Sequence, residues 1–151
     1  MVNIIRDGDL FTVPADILIN PVNRMGISGA GLAKEFKRRF PFFDKDFRRK
    51  VGTFPMKEGT LCISKNSEIV IVYFPTKHKP SDINSSIELI ESGLQVLKNC
   101  FEVSARKEVL VCNMPALGCG LGGLDFEGLI KPLILDMFQN EPYTINLFEP
   151  K

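Results

Sequence analysis

Hydrophobic positions fall into short runs along most of the chain, and turn-forming residues separate one run from the next. The runs are rich in β-branched residues and are bounded by Gly, Pro, Asn, Asp or Ser, a pattern typical of strands. We therefore predict six strands, at residues 2–6, 16–20, 59–64, 68–74, 108–113 and 143–148.

Apolar residues at helical spacing lie between several of these strands. The clearest set repeats every three or four residues and so occupies one helical face: Ile83, Ile87, Ile90, Leu94, Leu97 and Phe101. Ser81 is the predicted N-cap of this helix, because a serine hydroxyl accepts from the amides of the first turn. Two more helices are predicted at about residues 28–39, ended by Pro41, and 126–139, where Pro132 predicts an irregular first turn.

Strands that alternate with helices predict an α/β domain whose largely parallel sheet carries helices on both faces. The length of 151 residues fits one domain over residues 1–151. In such sheets ligands bind beyond the carboxyl ends of the strands. We therefore expect the functional site in the loops that follow the strands.

The charge balance changes what partners can be expected. With 19 basic and 18 acidic residues the net charge is +1, which gives no overall field that would attract nucleic acid or an anionic membrane. Any contact with a polyanion must therefore be local. The most basic stretch falls within residues 42–57 and is interpreted first as a solvated helix face; its cations are Lys45, Arg48, Arg49, Lys50 and Lys57.

The cysteines and the amino terminus bear on metal binding and compartment. The four cysteines form no C-x-x-C pair, and His78 is the one histidine, so the sequence predicts no metal site and no cofactor. No signal peptide is recognisable, and no segment approaches the ~18 apolar residues of a membrane helix. We expect a cytoplasmic monomer with reduced thiols and no membrane partner.

Two glycine-rich loops each follow a predicted strand and open a predicted helix. The first glycine loop covers residues 21–31 and the second residues 114–123. Glycines let the chain turn its amides inward, and a helix N-terminus adds partial positive charge, so each loop is a candidate anion site. A diphosphate would suit two such loops. Gly118, Gly120 and Gly123 match G-x-G-x-x-G, but a dinucleotide-binding fold carries that motif in its first strand–helix turn, which argues against it here.

These residues resemble the macro-domain family. The similarity rests on the opening Gly8-Asp-Leu-Phe11, on Asn20-Pro-Val-Asn23, on Phe74-Pro-Thr-Lys77 and on the two glycine loops, and it runs nearly end to end. Within the family the chain is similar to the branch that includes the DarG antitoxins and the human terminal ADP-ribose hydrolase. The resemblance implies a three-layer α/β/α fold with a mixed, mostly parallel six-stranded sheet.

The same resemblance implies an ADP-ribose site and assigns residues to it. Asp9 would accept from the adenine amino group, although a turn aspartate is the structural alternative. Asn23 would contact the distal ribose, although an asparagine is also common at a strand end. The remaining implied ligand residues are Leu10, Asn20, Ser28, Gly29, Ala30, Gly31, Gly118, Cys119, Gly120, Leu121 and Gly122.

Lys77 is the catalytic residue that the resemblance implies, together with Asn23. In this branch a lysine at that position attacks the anomeric carbon and forms a Schiff base, which requires a neutral amine. His78 and Lys79 are cationic neighbours that bear on its protonation. The human type has aspartate where this chain has Gly122, so a proton donor would have to come from Asp125 or from the bound base; the alternative for Asp125 is a helix N-cap.

The sequence thus predicts an ADP-ribosyl glycohydrolase that acts on ADP-ribosylated DNA rather than protein. Two alternatives stay open at this point. A non-catalytic reader of ADP-ribose would need every feature of the site except Lys77, and a phosphatase would act on ADP-ribose 1″-phosphate. Cys112 and Cys119 are interpreted as packing residues, because no histidine motif accompanies them.

Overall fold

The structure is a computed structural model that describes residues 1–52 and 55–151. Its strands are β1 (Val2–Ile5), β2 (Ile17–Asn23), β3 (Cys62–Lys65), β4 (Val70–Lys77), β5 (Val111–Met114) and β6 (Thr144–Phe148). Its helices are α1 (Gly31–Arg39), α2 (Pro41–Val51), α3 (Ile87–Glu102) and α4 (Lys131–Phe138). A short 3₁₀ turn (Lys107–Val109) precedes β5, and a π turn (Phe126–Ile130) leads into α4.

The strands form one six-stranded sheet in the order β1-β6-β5-β2-β4-β3. All pairs are parallel except β3 with β4, which run antiparallel at one edge. The predicted mixed, mostly parallel sheet is therefore confirmed. Because the five strands other than β3 share one direction, their carboxyl ends lie together along a single edge of the sheet.

Helices cover both faces of the sheet and bury a core on each. On one face α1 and α2 contribute Phe36 and Phe47, which pack with Leu18 and Tyr73. Phe47 stacks on Tyr73 with ring centroids 4.0 Å apart. On the other face α3 and α4 bury a larger core against β2, β4, β5 and β6, including Ile90, Leu94, Ile134 and Phe138. These layers confirm the three-layer α/β/α prediction.

Helix α3 begins later than the sequence predicted, which corrects one assignment. Ser86, not Ser81, is its N-cap, since the Ser86 hydroxyl accepts from the Leu89 amide at 3.2 Å. Ile83 lies outside the helix and is 85% exposed. The reason is tertiary: the Ser85 amide donates to the Gly122 carbonyl at 2.8 Å and the Ser86 amide to the Thr76 carbonyl at 2.7 Å. These bonds hold the chain away from helical geometry until Ile87.

Both predictions that rest on prolines are confirmed, but Pro41 has a second role that the sequence did not reveal. Pro41 ends α1 as predicted, but it also begins α2, where its missing amide costs nothing in the first turn. The interpretation of this stretch as a solvated helix face gave no bounds for that helix. Near the carboxyl terminus the irregular first turn is confirmed: the π turn comes first, and regular helix starts at Lys131, next to Pro132.

Candidate functional site

A cavity of about 650 Å³ opens at the carboxyl ends of the parallel strands. Both glycine loops line it, together with the loop after β1, the end of β4 and the residues that follow β6. Each of these segments lies at the carboxyl end of a strand of the parallel set or directly after it, so the sheet topology brings them together. The position agrees with the expectation for α/β sheets.

The side chain of Asn23 organises the first glycine loop. Its Oδ1 accepts from the amides of Met25 at 3.0 Å and Ile27 at 3.3 Å, while its Nδ2 donates to the Ile27 carbonyl at 2.8 Å. Gly31 then starts α1 with a positive φ of 57°, and Ala30 provides no side-chain cap. The first amides of α1 are consequently left for an external acceptor at the cavity.

The second glycine loop is tightly folded except at one position. Gly118 has a φ of 74°, and a Cβ there would lie 2.8 Å from a Leu124 methyl carbon. At Gly122 a Cβ would overlap the Ser85 hydroxyl and the Gly118 carbonyl oxygen. Gly120 differs, since a Cβ there would meet no atom within 4 Å. Gly120 is therefore the point at which this loop faces open space in the cavity.

The two glycine loops approach each other across the cavity. Leu121 of the second loop reaches the first, and its methyl carbon would lie 3.3 Å from a Cβ at Gly31. The Leu121 side chain is nevertheless 71% exposed. Leu121 therefore brings an apolar side chain of the second glycine loop next to the first residue of α1.

Lys77 and Asn23 are neighbours at the ends of β4 and β2. In the parallel register Val22 pairs with Pro75 but Asn23 pairs with Lys77, so Thr76 is the extra residue of a bulge. Bulges of this kind re-aim side chains near functional sites. Both Asn23 and Lys77 line the cavity, and the Lys77 ammonium has no hydrogen-bond or ion-pair partner within residues 1–52 and 55–151. The structure brings the two predicted catalytic residues together.

His78, the residue after Lys77, contacts two side chains that the sequence did not single out. The Arg24 guanidinium lies 3.1 Å from His78 Nδ1, and the Glu58 carboxylate lies 3.5 Å from the same atom. Arg24 also donates to the Met56 carbonyl at 2.6 Å. Arg24 thus fixes the strand ends beside Lys77 without lining the cavity.

Asp9 lies near the other edge of the sheet, after β1. One carboxylate oxygen accepts from the Phe11 amide at 2.8 Å, which is the turn role considered from the sequence. Leu10, the next residue of this loop, is held by a buried side chain: the Asn113 amide donates to the Leu10 carbonyl at 3.0 Å. Asn146 in turn donates to Asn113 at 3.0 Å, and Asn3 to Asn146 at 3.3 Å. This asparagine ladder, Asn3–Asn146–Asn113, connects the edge strand β1 to the loop that carries Asp9.

The structure places most of the predicted site residues on the cavity wall. Besides Lys77 and Asn23, these are Asp9, Leu10, Gly29, Ala30, Gly31, Gly118, Cys119, Gly120, Leu121 and Gly122. Asn20 and Ser28 do not line it. Asn20 is 1% exposed beneath the cavity, and Ser28 turns its hydroxyl to Asp44 of α2 at 3.1 Å.

Several wall residues were missed from the sequence, among them Thr76, Ser85, Phe148 and Glu149. Phe148 is the last residue of β6 and Glu149 follows it, so the rule that ligands bind at strand carboxyl ends would have found both if it had been applied to every strand. Ser85 gave no comparable signal, because it sits in a connection that the helical periodicity had assigned to a helix.

Two residues considered for chemistry have structural roles. Burial, followed by the nearby charge of Asp125, raises the pKa of the Cys119 thiol to about 11, so the thiol is neutral at physiological pH. Asp125 accepts from the Gly128 amide at 3.1 Å and caps the π turn, which confirms the N-cap interpretation. It does not line the cavity. Within the described residues no group of three or more His, Cys, Asp or Glu side chains is arranged to hold a metal ion, and no helix is long and apolar enough to cross a membrane.

Comparison with known proteins decides the family. The model of the Macro domain family matches residues 19–131, from within β2 to the start of α4. This chain belongs to the macro domain family. The match includes both glycine loops and Lys77, whereas the cavity residues after β1 and at the end of β6 lie outside it.

Relatives of this macro domain carry informative names. It is 32% identical over 149 residues to a DNA ADP-ribosyl glycohydrolase of Thermus aquaticus, covering 95% of this chain and 40% of that protein. It is 30% identical over 139 residues to one of Mycobacterium tuberculosis, covering 89% and 38%. It is also 28% identical over 143 residues to the human ADP-ribose glycohydrolase OARD1, covering 93% and 87%. The chain therefore spans about two fifths of the length of the first two relatives.

Comparison with solved structures gives the same family. The macrodomain of Thermus aquaticus DarG superposes with a TM-score of 0.85 at 28% identity, over 99% of both chains. Thermosipho africanus DarTG in complex with ADP-ribose gives a TM-score of 0.84 at 27% identity, over 98% of this macro domain and 42% of that chain. The predicted macro-domain fold is thereby confirmed.

Proposed function

We propose that this macro domain binds ADP-ribose in the cavity and hydrolyses the bond between ADP-ribose and a DNA base, with Lys77 as the nucleophile. The observation that carries the proposal is the paired placement of Asn23 and Lys77 at one end of a cavity whose wall contains both glycine loops. The names of its relatives and an ADP-ribose complex of a similar structure support the same ligand.

The cavity suits ADP-ribose in size and in the order of its groups. Its volume of about 650 Å³ lies within the ~300–1,000 Å³ usual for small-molecule sites. The diphosphate would lie against the glycine loops, where the first amides of α1 favour an anion. Adenine would lie on the β1 side, where Asp9 has a carboxylate oxygen left to accept from its amino group. The distal ribose would then lie on the β4 side, beside Asn23 and Lys77.

The proposed chemistry uses the lysine amine in two steps. The neutral Lys77 nitrogen attacks the anomeric carbon of the distal ribose, the bond to the base breaks, and the base leaves with a proton. The sugar ring then opens as its oxygen takes the nitrogen's proton, giving a Schiff base between Lys77 and the sugar. Water adds to this imine and releases ADP-ribose and free lysine. Asn23, held by its bonds to the first glycine loop, would orient the ribose.

A DNA base is favoured over a protein side chain by Gly122. The family resemblance noted from the sequence implies aspartate at this position in the human type and glycine in the DarG type. Here a side chain at Gly122 would overlap the Ser85 hydroxyl and the Gly118 carbonyl oxygen. The loop is therefore built around glycine, which supports the DarG-type substrate.

The test is to incubate the protein with ADP-ribosylated single-stranded DNA and, in parallel, with ADP-ribosylated protein, and to measure released ADP-ribose. We expect release from DNA, and a loss of ~10³-fold or more in Lys77→Ala with ADP-ribose affinity retained. Borohydride should trap a covalent adduct that mass spectrometry locates at Lys77. Lys79→Ala is the matched control, since Lys79 is exposed and does not line the cavity.

Other outcomes would contradict specific parts of the proposal. Turnover that survives in Lys77→Ala would remove the lysine mechanism. Tight ADP-ribose binding with no release from either substrate would identify a reader module. Phosphate release from ADP-ribose 1″-phosphate, with no release from DNA, would identify a phosphatase.

A further inference from the structure

Ser85 is a buried polar residue on the cavity wall that the proposed chemistry does not use. It is 8% exposed, and its hydroxyl has no hydrogen-bond partner within residues 1–52 and 55–151. The other buried serines differ, because Ser28 donates to Asp44 and Ser64 donates to Asp46. The Ser85 hydroxyl lines the cavity without a protein partner, so its donor and its acceptor lone pairs are available to a ligand there.

The backbone holds Ser85 between the two segments that form the Lys77 end of the cavity. Its amide donates to the Gly122 carbonyl of the second glycine loop, and the next amide donates to the Thr76 carbonyl of β4. Its Cβ would lie 3.0 Å from a Cβ at Gly118. The residue is thus fixed at the junction of β4, the second glycine loop and the N-terminus of α3, one residue before Ser86, the cap of that helix.

The Ser85 hydroxyl takes the space that a side chain at Gly122 would need. The carboxylates on the cavity wall, Asp9 and Glu149, follow β1 and β6, at the opposite edge of the sheet from β4. The Asn23 amide at the Lys77 end is already engaged with the first glycine loop. Ser85 is consequently a hydroxyl at that end whose hydrogen-bonding capacity is unused.

We propose that Ser85 is a further substrate-contacting residue, whose hydroxyl hydrogen-bonds the distal ribose and positions its anomeric carbon for Lys77. The proposal rests on the proposed function for the identity of the ligand and deepens it by assigning the group that selects the second sugar. ADP has the same adenosine and diphosphate but lacks that sugar. A contact to the distal ribose must therefore contribute to ADP-ribose binding and not to ADP binding.

The test compares the affinities of ADP-ribose and ADP by calorimetry for the wild-type protein, Ser85→Ala and the control Ser81→Ala. Ser81 is an exposed serine in the same connection and does not line the cavity. We expect Ser85→Ala to bind ADP-ribose roughly three- to tenfold more weakly, as for the loss of one hydrogen bond, with ADP affinity unchanged. Ser85→Thr, which keeps the hydroxyl, should retain more of the preference for ADP-ribose.

Turnover of ADP-ribosylated DNA gives a second readout. In Ser85→Ala the anomeric carbon should be misplaced relative to Lys77, which should lower kcat by about tenfold or more with a smaller change in KM. Equal weakening of ADP-ribose and ADP would show that Ser85 only supports the loop and would overturn the proposal. Unchanged affinity of Ser85→Ala for both ligands would also overturn it. Thr76 is another hydroxyl residue on the cavity wall, so a loss of ADP-ribose affinity in Thr76→Val but not in Ser85→Ala would overturn it as well. The binding comparison needs no turnover, so it separates failure of this inference from failure of the proposed reaction.

Discussion

Three glycines of the second glycine loop have different physical reasons to be glycine. Gly118 adopts a φ of 74°, which other residues rarely do. Gly122 has no room for a side chain. Gly120 has neither restriction, since its φ is not in the positive range and the space beyond it is open. A glycine that the fold does not require, at a cavity wall, points to close approach of a ligand.

This difference makes Gly120→Asp an informative substitution. We expect the variant to fold normally and to bind ADP-ribose a hundredfold or more weakly. A carboxylate facing a phosphate at about 4 Å costs on the order of 4 kcal/mol at an effective dielectric of 20. Calorimetry gives the affinity, and circular dichroism with thermal melting checks the fold.

Gly120→Ala is the control for size without charge, and it should lose less affinity than Gly120→Asp. A folded Gly120→Asp protein with normal affinity would show that the second glycine loop does not hold the phosphates. Gly122→Asp should instead destabilise the protein, because its side chain would overlap Ser85 and the Gly118 carbonyl.

At the residue scale, side chains lie where the sequence predicted them if a motif fixes the backbone, and elsewhere if burial decides. The glycines, Asn23 and Lys77 line the cavity as expected. Asn20 does not, because it is 1% exposed on the buried face that Leu18 also occupies, two residues before the cavity-lining Val22. Strand periodicity could have placed it there. Ser28 is drawn away by Asp44 of α2, a helix that the sequence reading had not defined.

At the scale of elements, α3 packs closely against β4 through a glycine. A Cβ at Gly93 would lie 2.5 Å from the Phe74 ring, and both residues are buried in the larger core. Phe74 stands three residues before Lys77 in the same strand. The closeness of this contact therefore fixes both the helix and the strand that carries the proposed nucleophile.

We predict that Gly93→Ala lowers the free energy of unfolding by about 1–3 kcal/mol, since the added methyl forces the ring or the helix to move. Chemical denaturation measures the change. Ser92→Ala is the matched control: Ser92 is exposed on the same helix, and alanine is the better helix former, so this variant should be neutral or slightly more stable. A stable Gly93→Ala protein would mean that α3 and β4 can separate without cost.

Element prediction was reliable where periodicity was strong and weak at the boundaries. All six strands were found, and the irregular turn before α4 followed from Pro132. The predicted start of α3 was wrong because Ile83 continued the helical spacing by chance, while the amides of Ser85 and Ser86 donate to distant carbonyls and so lie outside the helix. Such bonds depend on the fold and leave no trace in local sequence.

For the molecule as a whole, charge is balanced and its basic stretch lies away from the cavity. Arg49 and Lys50 are both paired with Asp46 within α2. Lys45, Arg48 and Lys57 are exposed and have no ion pair among the described residues. None of the five lines the cavity. The solvated-face interpretation therefore fits all five cations, and Lys45, Arg48 and Lys57 are the three without an ion pair among the described residues.

We predict that reversing Lys45, Arg48 and Lys57 to glutamate slows cleavage of ADP-ribosylated single-stranded DNA and leaves affinity for free ADP-ribose unchanged. Each lost phosphate contact should flatten the salt dependence of DNA binding by about 0.7 in the log–log slope. Titrations at several salt concentrations measure it. Reversal of exposed cations elsewhere, such as Lys65 and Arg106, is the control.

A variant that loses both properties would place this stretch in the ligand site or in the core, whereas one that loses neither would leave it a solvated face. The sequence could predict the stretch but not its role. Pairing with Asp46 depends on where α2 begins, and distance from the cavity depends on the whole sheet order.

The asparagine ladder has a thermodynamic consequence for the edge of the sheet. It joins β1, which has a neighbour on one side only, to the loop that holds Asp9, through side-chain bonds at Asn146 and Asn113. Local opening of β1 and loosening of that loop are therefore coupled events. A ligand that orders the loop therefore stabilises β1 by the coupling free energy, and amide exchange along β1 slows. Conversely, fraying of β1 lowers the affinity for the ligand by the same free energy.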